Sequence, residues 1–363
     1  MANFNLTKMA VDMYCPGNVV QQDDAGLPSL LVWIPAFKLS DVLNTTDDSV
    51  HPAFIVNGRQ IPGFYYSKYE NVVYNGKAYS LPAEDPKSMI SLETARECCE
   101  AKGYGWHLST AAEWAAIALW CKKNGFLPYG NNNYGKDSRE TDNKAIATYK
   151  NSDGTTSRVA TGTGPLTWSH DGTTSGVWDM NGNVWEWQGG LRVVWGELQI
   201  LADNDAADPD NPQNATSVCW KAINAADGSL VEPECSASGP AVLTGSTVRL
   251  DYVSDAWTYT NNITSAADNT RNCLLWKAVC AASISDAAKI RLRSLALLPD
   301  EGSSAGEYES DKLWFNNGSA GYYVCRGGSG SPGEAAGVFS VTGNSSSYAG
   351  NGIGFRAAYI PNL

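Results

Sequence analysis

The sequence has few histidines, few basic residues and no long apolar run, and each shortage excludes a class of protein. Three histidines (His51, His107 and His170) stand among 363 residues, at no spacing typical of metal ligands. Lys and Arg total 26 against 38 Asp and Glu, so the formal net charge is -12. Nonspecific binding to nucleic acid needs a basic stripe, and anionic membranes repel a chain of this charge. We therefore expect no nucleic-acid partner.

Targeting and membrane segments are also missing from the sequence. No stretch of about 18 consecutive apolar residues occurs, and the first residues lack the basic region and apolar run of a secretory signal. We therefore expect synthesis in the cytoplasm and no membrane insertion. If the protein works outside the cell, it must travel in a particle, and a phage virion is the natural candidate.

Cysteine spacing gives no sign of zinc or of a redox pair. The chain has nine cysteines and no Cys-x-x-Cys. An odd number leaves at least one thiol unpaired, and buried free thiols that pack as small apolar groups are the favoured interpretation. Cys219–Cys235 and Cys273–Cys280 could pair in an oxidising setting. No nucleophile–base pair or phosphate-binding glycine motif is present either.

What is present indicates a globular α+β protein rich in aromatic side chains. Hydrophobic residues make up 43% of the chain, which includes 13 Trp and 17 Tyr. Residues 1–48 predict an N-terminal β-like segment, with its clearest strand at 30–35. Residues 49–363 predict one domain that carries an insertion at 196–300. The insertion could support a binding surface or serve as a docking element.

Two helices are predicted between residues 91 and 125. Ser91 can cap the first, which we expect to end near Lys102 before two glycines. The second begins with a capping box, Thr110 with Glu113, and ends before Gly125. Its apolar residues recur at helical spacing and predict a buried stripe: Trp114, Ile117, Ala118 and Cys121.

The last fifty or so residues alternate short apolar runs with small polar residues. We expect the apolar side chains to point inward and fix the main chain: Val338, Phe339, Val341, Ile353 and Phe355. The polar residues between them would then be free to vary. This pattern predicts a recognition surface at about 313–360.

Three motifs carry a resemblance to known families. The segments 326–329 (RGGS), 336–341 (AGVFSV) and 351–358 (NGIGFRAA) resemble the variable region of proteins diversified by retroelements. Residues 176–187 (GVWDMNGNVWEW) look like the core motif of the formylglycine-generating-enzyme branch of the same fold. Residues 91–114 are similar to that branch's two-helix signature. The resemblance implies a C-type lectin-like α+β fold with two helices and antiparallel sheets.

The resemblance also implies which side chains vary and bind. Matched to the family's changeable positions, the expected ligand-binding residues are these: Phe315, Asn317, Ser319, Tyr322, Tyr323, Ser329, Ser331, Pro332, Ala335, Thr342, Asn344, Tyr348, Gly350 and Gly352. Tyrosine offers rigid contact area and serine or asparagine adaptable hydrogen bonds, as in antibody loops.

The function that follows is non-enzymatic binding of a variable protein or surface-receptor ligand, with phage receptor binding and host tropism as its setting. A phage tail is the expected location and a bacterial cell surface the alternative. A homo-oligomer is a further expectation. Two other functions stay open: an oxidase of the formylglycine-generating type and a structural virion protein. The oxidase is disfavoured because its cysteines follow the RGGS-like motif, and Ser329 to Leu363 contains none.

A structural calcium ion is the one metal that the resemblance implies, and no cofactor is required. Its ligands would be the side chains of Asp179 and Glu186 with the carbonyl oxygens of Gly182 and Val184. Calcium takes six to eight oxygens, so four ligands would need waters or further groups. The alternative is that these side chains only satisfy buried backbone amides. The lectin triplets that bind sugars through calcium are absent.

Overall fold

The computed structural model of the chain describes residues 2–331 and 333–363, which form five α-helices and 23 strands. The helices are α1 (Ala2–Tyr14), α2 (Leu39–Val42), α3 (Leu92–Glu100), α4 (Ala111–Lys123) and α5 (Asp286–Ser294). The strands are β1 (Asn18–Gln22), β2 (Pro28–Pro35), β3 (Ile55–Val56), β4 (Arg59–Gln60), β5 (Gly63–Ser67), β6 (Asn71–Tyr74), β7 (Lys77–Ser80), β8 (Trp106–Leu108), β9 (Ala147–Lys150), β10 (Thr156–Val159), β11 (Trp185–Val194), β12 (Glu197–Ile200), β13 (Lys221–Ile223), β14 (Leu230–Val231), β15 (Thr244–Val253), β16 (Ala256–Asn262), β17 (Arg271–Leu274), β18 (Val279–Cys280), β19 (Lys312–Phe315), β20 (Tyr322–Gly327), β21 (Gly337–Asn344), β22 (Ile353–Phe355) and β23 (Ala357–Tyr359).

Both predicted helices are present, with the predicted caps. The Ser91 hydroxyl accepts the amide of Thr94 at 3.2 Å, at the start of α3. In α4 the Thr110 hydroxyl accepts the Glu113 amide at 3.1 Å, and the Glu113 carboxylate accepts the Thr110 amide at 3.1 Å. The predicted apolar stripe of α4 is buried, as is most of the rest of that helix. The helix is therefore a central element of the core.

A five-stranded sheet joins the two ends of the chain, in the order β1-β2-β5-β23-β8. Ala358 of β23 pairs with Tyr66 of β5 on one side and with His107 of β8 on the other. The predicted division at residue 48 is not seen, because β1 and β2 pair into the same sheet as β5. The β-like prediction is also wrong for residues 2–14, which are helical.

A second sheet of twelve strands carries the C-terminal region and most of the insertion. Its main path is β17-β19-β21-β20-β11-β12-β15-β16-β18. The insertion at 196–300 supplies β12 to β18, so it flanks the C-terminal strands on both sides. β17 pairs with β19, where Arg271 faces Phe315. The insertion therefore supports the C-terminal strands as part of one sheet.

The C-terminal frame is buried as predicted. All five inward residues expected from the sequence are at most 5% exposed: Val338, Phe339, Val341, Ile353 and Phe355. All nine cysteines are free, so neither possible disulfide forms. Among the described residues, no helix is both long and apolar enough to cross a bilayer. The α+β fold class with a long insertion is confirmed. Three helices join the two predicted ones, and the twelve-stranded sheet is mixed, because β11–β22, β16–β18 and β19–β21 pair in parallel.

Candidate ligand-binding surface

Nine of the fourteen predicted binding residues lie wholly or partly at the surface, and we call these nine the C-terminal surface. They are Ser319, Ser329, Ser331, Ala335, Thr342, Asn344, Tyr348, Gly350 and Gly352. Tyr348 is 47% exposed, and Ser331 is exposed as well. Pro332 lies outside the described residues.

Strand alternation places two of these residues on one face of β21. Thr342 and Asn344 are half-buried, whereas Val341 and Gly343 are buried. Successive side chains of a strand point to opposite faces, so Thr342 and Asn344 share the outer one. A Cβ added to Gly352 would lie 3.5 Å from the Cβ of Ser329, so these two positions are also neighbours.

Main-chain hydrogen bonds hold the loop at 345–352 that carries Tyr348. The amide of Leu92 donates to the Ser346 carbonyl at 3.0 Å, and that of Met89 to the Gly350 carbonyl at 3.2 Å. The guanidinium of Arg158 donates to the carbonyl and side-chain oxygens of Asn351 at 3.2 and 2.8 Å. The loop backbone is therefore fixed from α3 and from Arg158, while Tyr348 projects outward.

Phe315 is a wrong prediction, because it lies on the inner face of its strand. In β19 the residues alternate between half-buried and buried, and Phe315 is fully buried. It packs edge-on against Trp257 from the insertion, with ring centroids 5.8 Å apart. The side chain that this strand presents is the preceding one, Trp314. A shift of one residue moves a side chain to the opposite face.

Asn317 is also buried, because it ties the C-terminal sheet to the insertion. Its amide group donates to the carbonyls of Leu250 and Ser265 at 3.0 and 3.2 Å. Its oxygen accepts the amide of Ala267 at 3.0 Å and a guanidinium hydrogen bond from Arg271. Asn317 therefore stabilises the fold and is not exposed to a ligand.

Tyr322 and Tyr323 are buried on opposite faces of β20, so they leave the candidate surface too. The Tyr322 hydroxyl donates to the Trp314 carbonyl at 3.2 Å. The Tyr323 ring packs against Trp220 of the insertion at 6.3 Å, and its hydroxyl accepts from Arg192 at 3.3 Å. The insertion covers what would otherwise be an exposed aromatic strand.

An aromatic pair beside the C-terminal surface was missed from the sequence. Trp185 and Trp314 are both half-buried, with ring centroids 5.5 Å apart and planes at 89°. Lys312, on the same face of β19, places its ammonium group 6.0 Å from the Trp314 ring. Partly exposed tryptophans are frequent energetic anchors of interfaces. The strand alternation across Lys312–Phe315, which places Lys312 and Trp314 on one face, was the sequence signal that could have predicted an outward Trp314.

Two buried polar side chains anchor the strands below this surface. Arg326 of β20 donates to the carbonyls of Leu295 and Ala296 at 2.6 and 3.2 Å, which joins β20 to the end of α5. Asp311 accepts the amide of Phe339 at 2.7 Å, next to the start of β21. Burial raises the pKa of Asp311 to about 8. These contacts fix the backbone from inside.

The expected calcium ligands fit an ion poorly at Glu186. Both oxygens of that carboxylate bind the Arg356 guanidinium, at 2.6 and 2.8 Å, in a fully buried pair. Asp179 accepts the amide of Gly162 through one oxygen, while the other oxygen is buried and has no hydrogen-bond partner among the described residues. Burial raises the pKa of Asp179 to about 6. An ion there would have to compete with Arg356 for Glu186.

Cysteine and metal chemistry find little support in the described residues. Cys325, beside the RGGS-like motif, is fully buried, and burial raises the pKa of its thiol. A reactive cysteine needs an accessible, easily formed thiolate. Within residues 2–331 and 333–363, no group of three or more His, Cys, Asp or Glu side chains is arranged to hold a metal ion.

A comparison with protein families gives one match. Residues 13–196 match the family described as the sulfatase-modifying factor enzyme 1-like domain. The match spans half of the chain, so the chain belongs to this family. A search of curated proteins finds no match.

Solved structures add weak likenesses. PvdO from Pseudomonas aeruginosa is 15% identical, with a TM-score of 0.36, over 94% of this chain and 98% of that one. The Major Tropism Determinant P3c variant is 11% identical, with a TM-score of 0.29, over 94% and 71%. The I1 variant is 10% identical, with a TM-score of 0.30, over the same shares. Likenesses at these scores carry no argument about function.

Proposed function

We propose that this member of the sulfatase-modifying factor enzyme 1-like domain family is a non-enzymatic binding protein whose C-terminal surface is diversified by a retroelement. The observation that carries the proposal is the contrast between the two sides of β21 and its following loop. Val341 and Phe339 are buried, while Thr342, Asn344 and Tyr348 reach the surface from a backbone fixed on its inner side. Exchange of such outward side chains changes binding without disturbing the fold.

Interface energetics suit this arrangement. A few central side chains carry most of the binding energy of an interface, with tryptophan, tyrosine and arginine foremost. Trp185 and Trp314 offer a constant aromatic anchor, and the C-terminal surface beside it offers positions that can change. The ligand we favour is a surface receptor of a host cell. This protein would bind it as part of a phage tail. A reverse-transcriptase gene beside a near-copy of the 3′ end of this gene would support diversification.

The test is a pair of randomised libraries displayed on a particle. One library varies Ser331, Thr342, Asn344 and Tyr348, and its control varies four buried predictions, Phe315, Asn317, Tyr322 and Tyr323. We expect most members of the first library to fold and to yield binders to several unrelated purified proteins. Most members of the control should fail to fold. Equal folding of the two libraries, or a first library without binders, would contradict the proposal.

The second candidate function is oxidation of a cysteine substrate, which membership of this family favours. Incubation with a cysteine-containing sulfatase-like peptide tests it directly. Formation of formylglycine that is lost in Cys325→Ser would establish the enzyme and overturn the binding proposal. We expect no turnover, because the Cys325 thiol is fully buried.

A further inference from the structure

The N-terminal helix presents an apolar stripe that the described part of its own chain does not cover. Leu6, Met9 and Met13 follow at helical spacing on α1 and are 60%, 55% and 70% exposed. Lys8 and Asp12 form an ion pair at 3.0 Å on a flank of the helix, roughly 110° around the axis from the centre of the stripe. A stripe of this kind normally packs against an apolar partner.

A 13-residue helix is also marginal by itself. Isolated helices shorter than about 12 to 15 residues are barely stable in water, because nucleation costs more than a few hydrogen bonds return. The α1 helix has 13 residues and contacts the rest of the chain mainly at β1. Burial of its apolar stripe would supply the missing stability.

An apolar cleft of about 560 Å³ opens at the base of this helix. Its walls are side chains of β2, of α2 and the segment before it, and of α4: Val32, Ile34, Phe37, Val42, Ile117 and Trp120. Asp41 and Lys123 stand among its polar lining. The cleft is therefore lined by apolar side chains of the kind that an exposed apolar stripe such as that of α1 packs against.

The helix is tied so that its stripe stays outside its own cleft. Pro16 and Gly17, which follow the helix, line the cleft themselves. The Thr174 hydroxyl donates to the Tyr14 carbonyl at 3.0 Å, and the amide of Asn18 donates to the Cys15 carbonyl at 3.0 Å. These bonds fix both ends of the short connection, so the stripe is presented to another molecule.

We propose that α1 docks through Leu6, Met9 and Met13 into the cleft between β2 and α4 of a second copy of this chain. Each copy carries one helix and one cleft, so the contact is reciprocal in a dimer, or closes a ring. The surface buried is the apolar side of α1, and the polar side with Lys8 and Asp12 stays in water. The contact lies outside the C-terminal surface, so the assembled copies keep their binding faces.

Light scattering after size-exclusion chromatography tests the assembly. We expect the full chain at about 50 µM to be a dimer or a larger closed oligomer. The double variant Leu6→Glu/Met13→Glu should be monomeric and should keep a cooperative melting transition, because both side chains are exposed within a single chain. Its melting temperature should fall below that of the assembled wild type, because the stabilisation supplied by association is lost. Asp12→Ser, on the polar side of α1, is the matched control and should assemble as the wild type does. A monomeric wild type, or assembly that survives the double variant, overturns the proposal.

Crosslinking locates the contact independently of folding effects. Benzoylphenylalanine introduced at Met9 should, on irradiation, form adducts with peptides that contain residues 32–42 and 117–124. In a mixture of isotope-labelled and unlabelled chains, these adducts should join one labelled to one unlabelled copy. Adducts confined to single chains would mean that α1 closes on its own cleft, and adducts elsewhere would mean another partner surface. Either result overturns the proposal.

Discussion

Two tyrosines assigned to the same surface by sequence have opposite surroundings. Tyr348 is 47% exposed, whereas Tyr323 is 6% exposed and packs on Trp220. Tyr323→Ala should therefore lower the free energy of unfolding by about 3 to 5 kcal/mol, the usual cost of removing a large buried ring. Tyr348→Ala should change it by less than about 0.5 kcal/mol. Urea denaturation of the two variants measures both.

Equal destabilisation by the two substitutions would contradict this difference in burial. The Tyr323→Phe variant distinguishes the stability contribution of the ring from that of the hydroxyl group. It keeps the packing on Trp220 and removes only the hydrogen bond from Arg192, so its cost should be about 1 to 3 kcal/mol.

Asp311 should make stability fall as pH rises. Its pKa in the folded protein is about 8, against 3.8 as the ordinary value, because burial disfavours the charged carboxylate. The folded state therefore binds this proton more tightly than the unfolded state. The contribution to stability is fully present below about pH 4 and is lost as pH rises toward 8.

Asp311→Asn removes that titration while keeping an oxygen that can accept the Phe339 amide. In the wild type, the free energy of unfolding should be lower at pH 8 than at pH 5. We expect this loss to be smaller in Asp311→Asn by about 1 to 4 kcal/mol, since one pKa unit corresponds to about 1.4 kcal/mol. Denaturation curves at the two pH values measure it. Asp142→Asn, at an exposed position, is the control. Identical pH dependence in wild type and Asp311→Asn would contradict the assignment.

At the scale of elements, the segment 176–187, which leads into β11, is held by the buried guanidinium of Arg356. Arg356 of the segment between β22 and β23 binds Glu186 of β11 with two hydrogen bonds and also donates to the Trp178 carbonyl at 3.0 Å. The guanidinium thus joins three segments and balances the carboxylate charge. A divalent ion at Glu186 would therefore stabilise the fold little further.

Calcium should therefore leave the melting temperature unchanged. We expect less than 1 °C between about 5 mM calcium and about 5 mM of a calcium chelator, measured by differential scanning fluorimetry, because ligand-linked stabilisation requires binding to the folded state. Magnesium in place of calcium is the control for ionic strength. A rise of several degrees that is specific to calcium would support the predicted ligand set, with Asp179 as its first candidate.

Local signals were enough to predict helices α3 and α4 and the inner frame. Ser91 and Thr110 are caps whose chemistry is local, and the structure shows both. Strand faces were harder, because they depend on which side a neighbouring element covers. In β19 a difference of one residue separates the buried Phe315 from the half-buried Trp314. In β20 both faces are covered, so alternation carries no information about exposure.

At the scale of the whole molecule, the insertion decides which C-terminal side chains are free. Its strands β12 and β17 extend the sheet beyond β11 and β19, and Trp220 and Trp257 cover Tyr323 and Phe315. Sequence patterns give no distance between residues 220 and 323. The role of the insertion could therefore not be predicted, and four of the candidate binding residues were misplaced with it.

Because they share one sheet, the insertion and the C-terminal strands should unfold together. Asn317 is the test residue, since its side chain bonds to Leu250, Ser265 and Ala267 of the insertion. Asn317→Ala should lower the free energy of unfolding by about 2 to 4 kcal/mol, because it leaves several buried groups without partners. Ser319→Ala, two residues on and half-buried, should cost less than about 0.5 kcal/mol.

Native-state hydrogen exchange shows whether the two regions form one cooperative unit. Amides of β15 and β16 should exchange with the same opening free energy as those of β20 and β21, and Asn317→Ala should lower both by the same amount. Cooperative units of this kind follow the packing of elements more than their order in the chain. If the insertion strands opened separately, at a lower free energy than β20 and β21, the insertion would be an appended module. The covered positions Tyr323 and Phe315 would then become accessible without global unfolding, and the binding surface would be larger than the C-terminal surface described above.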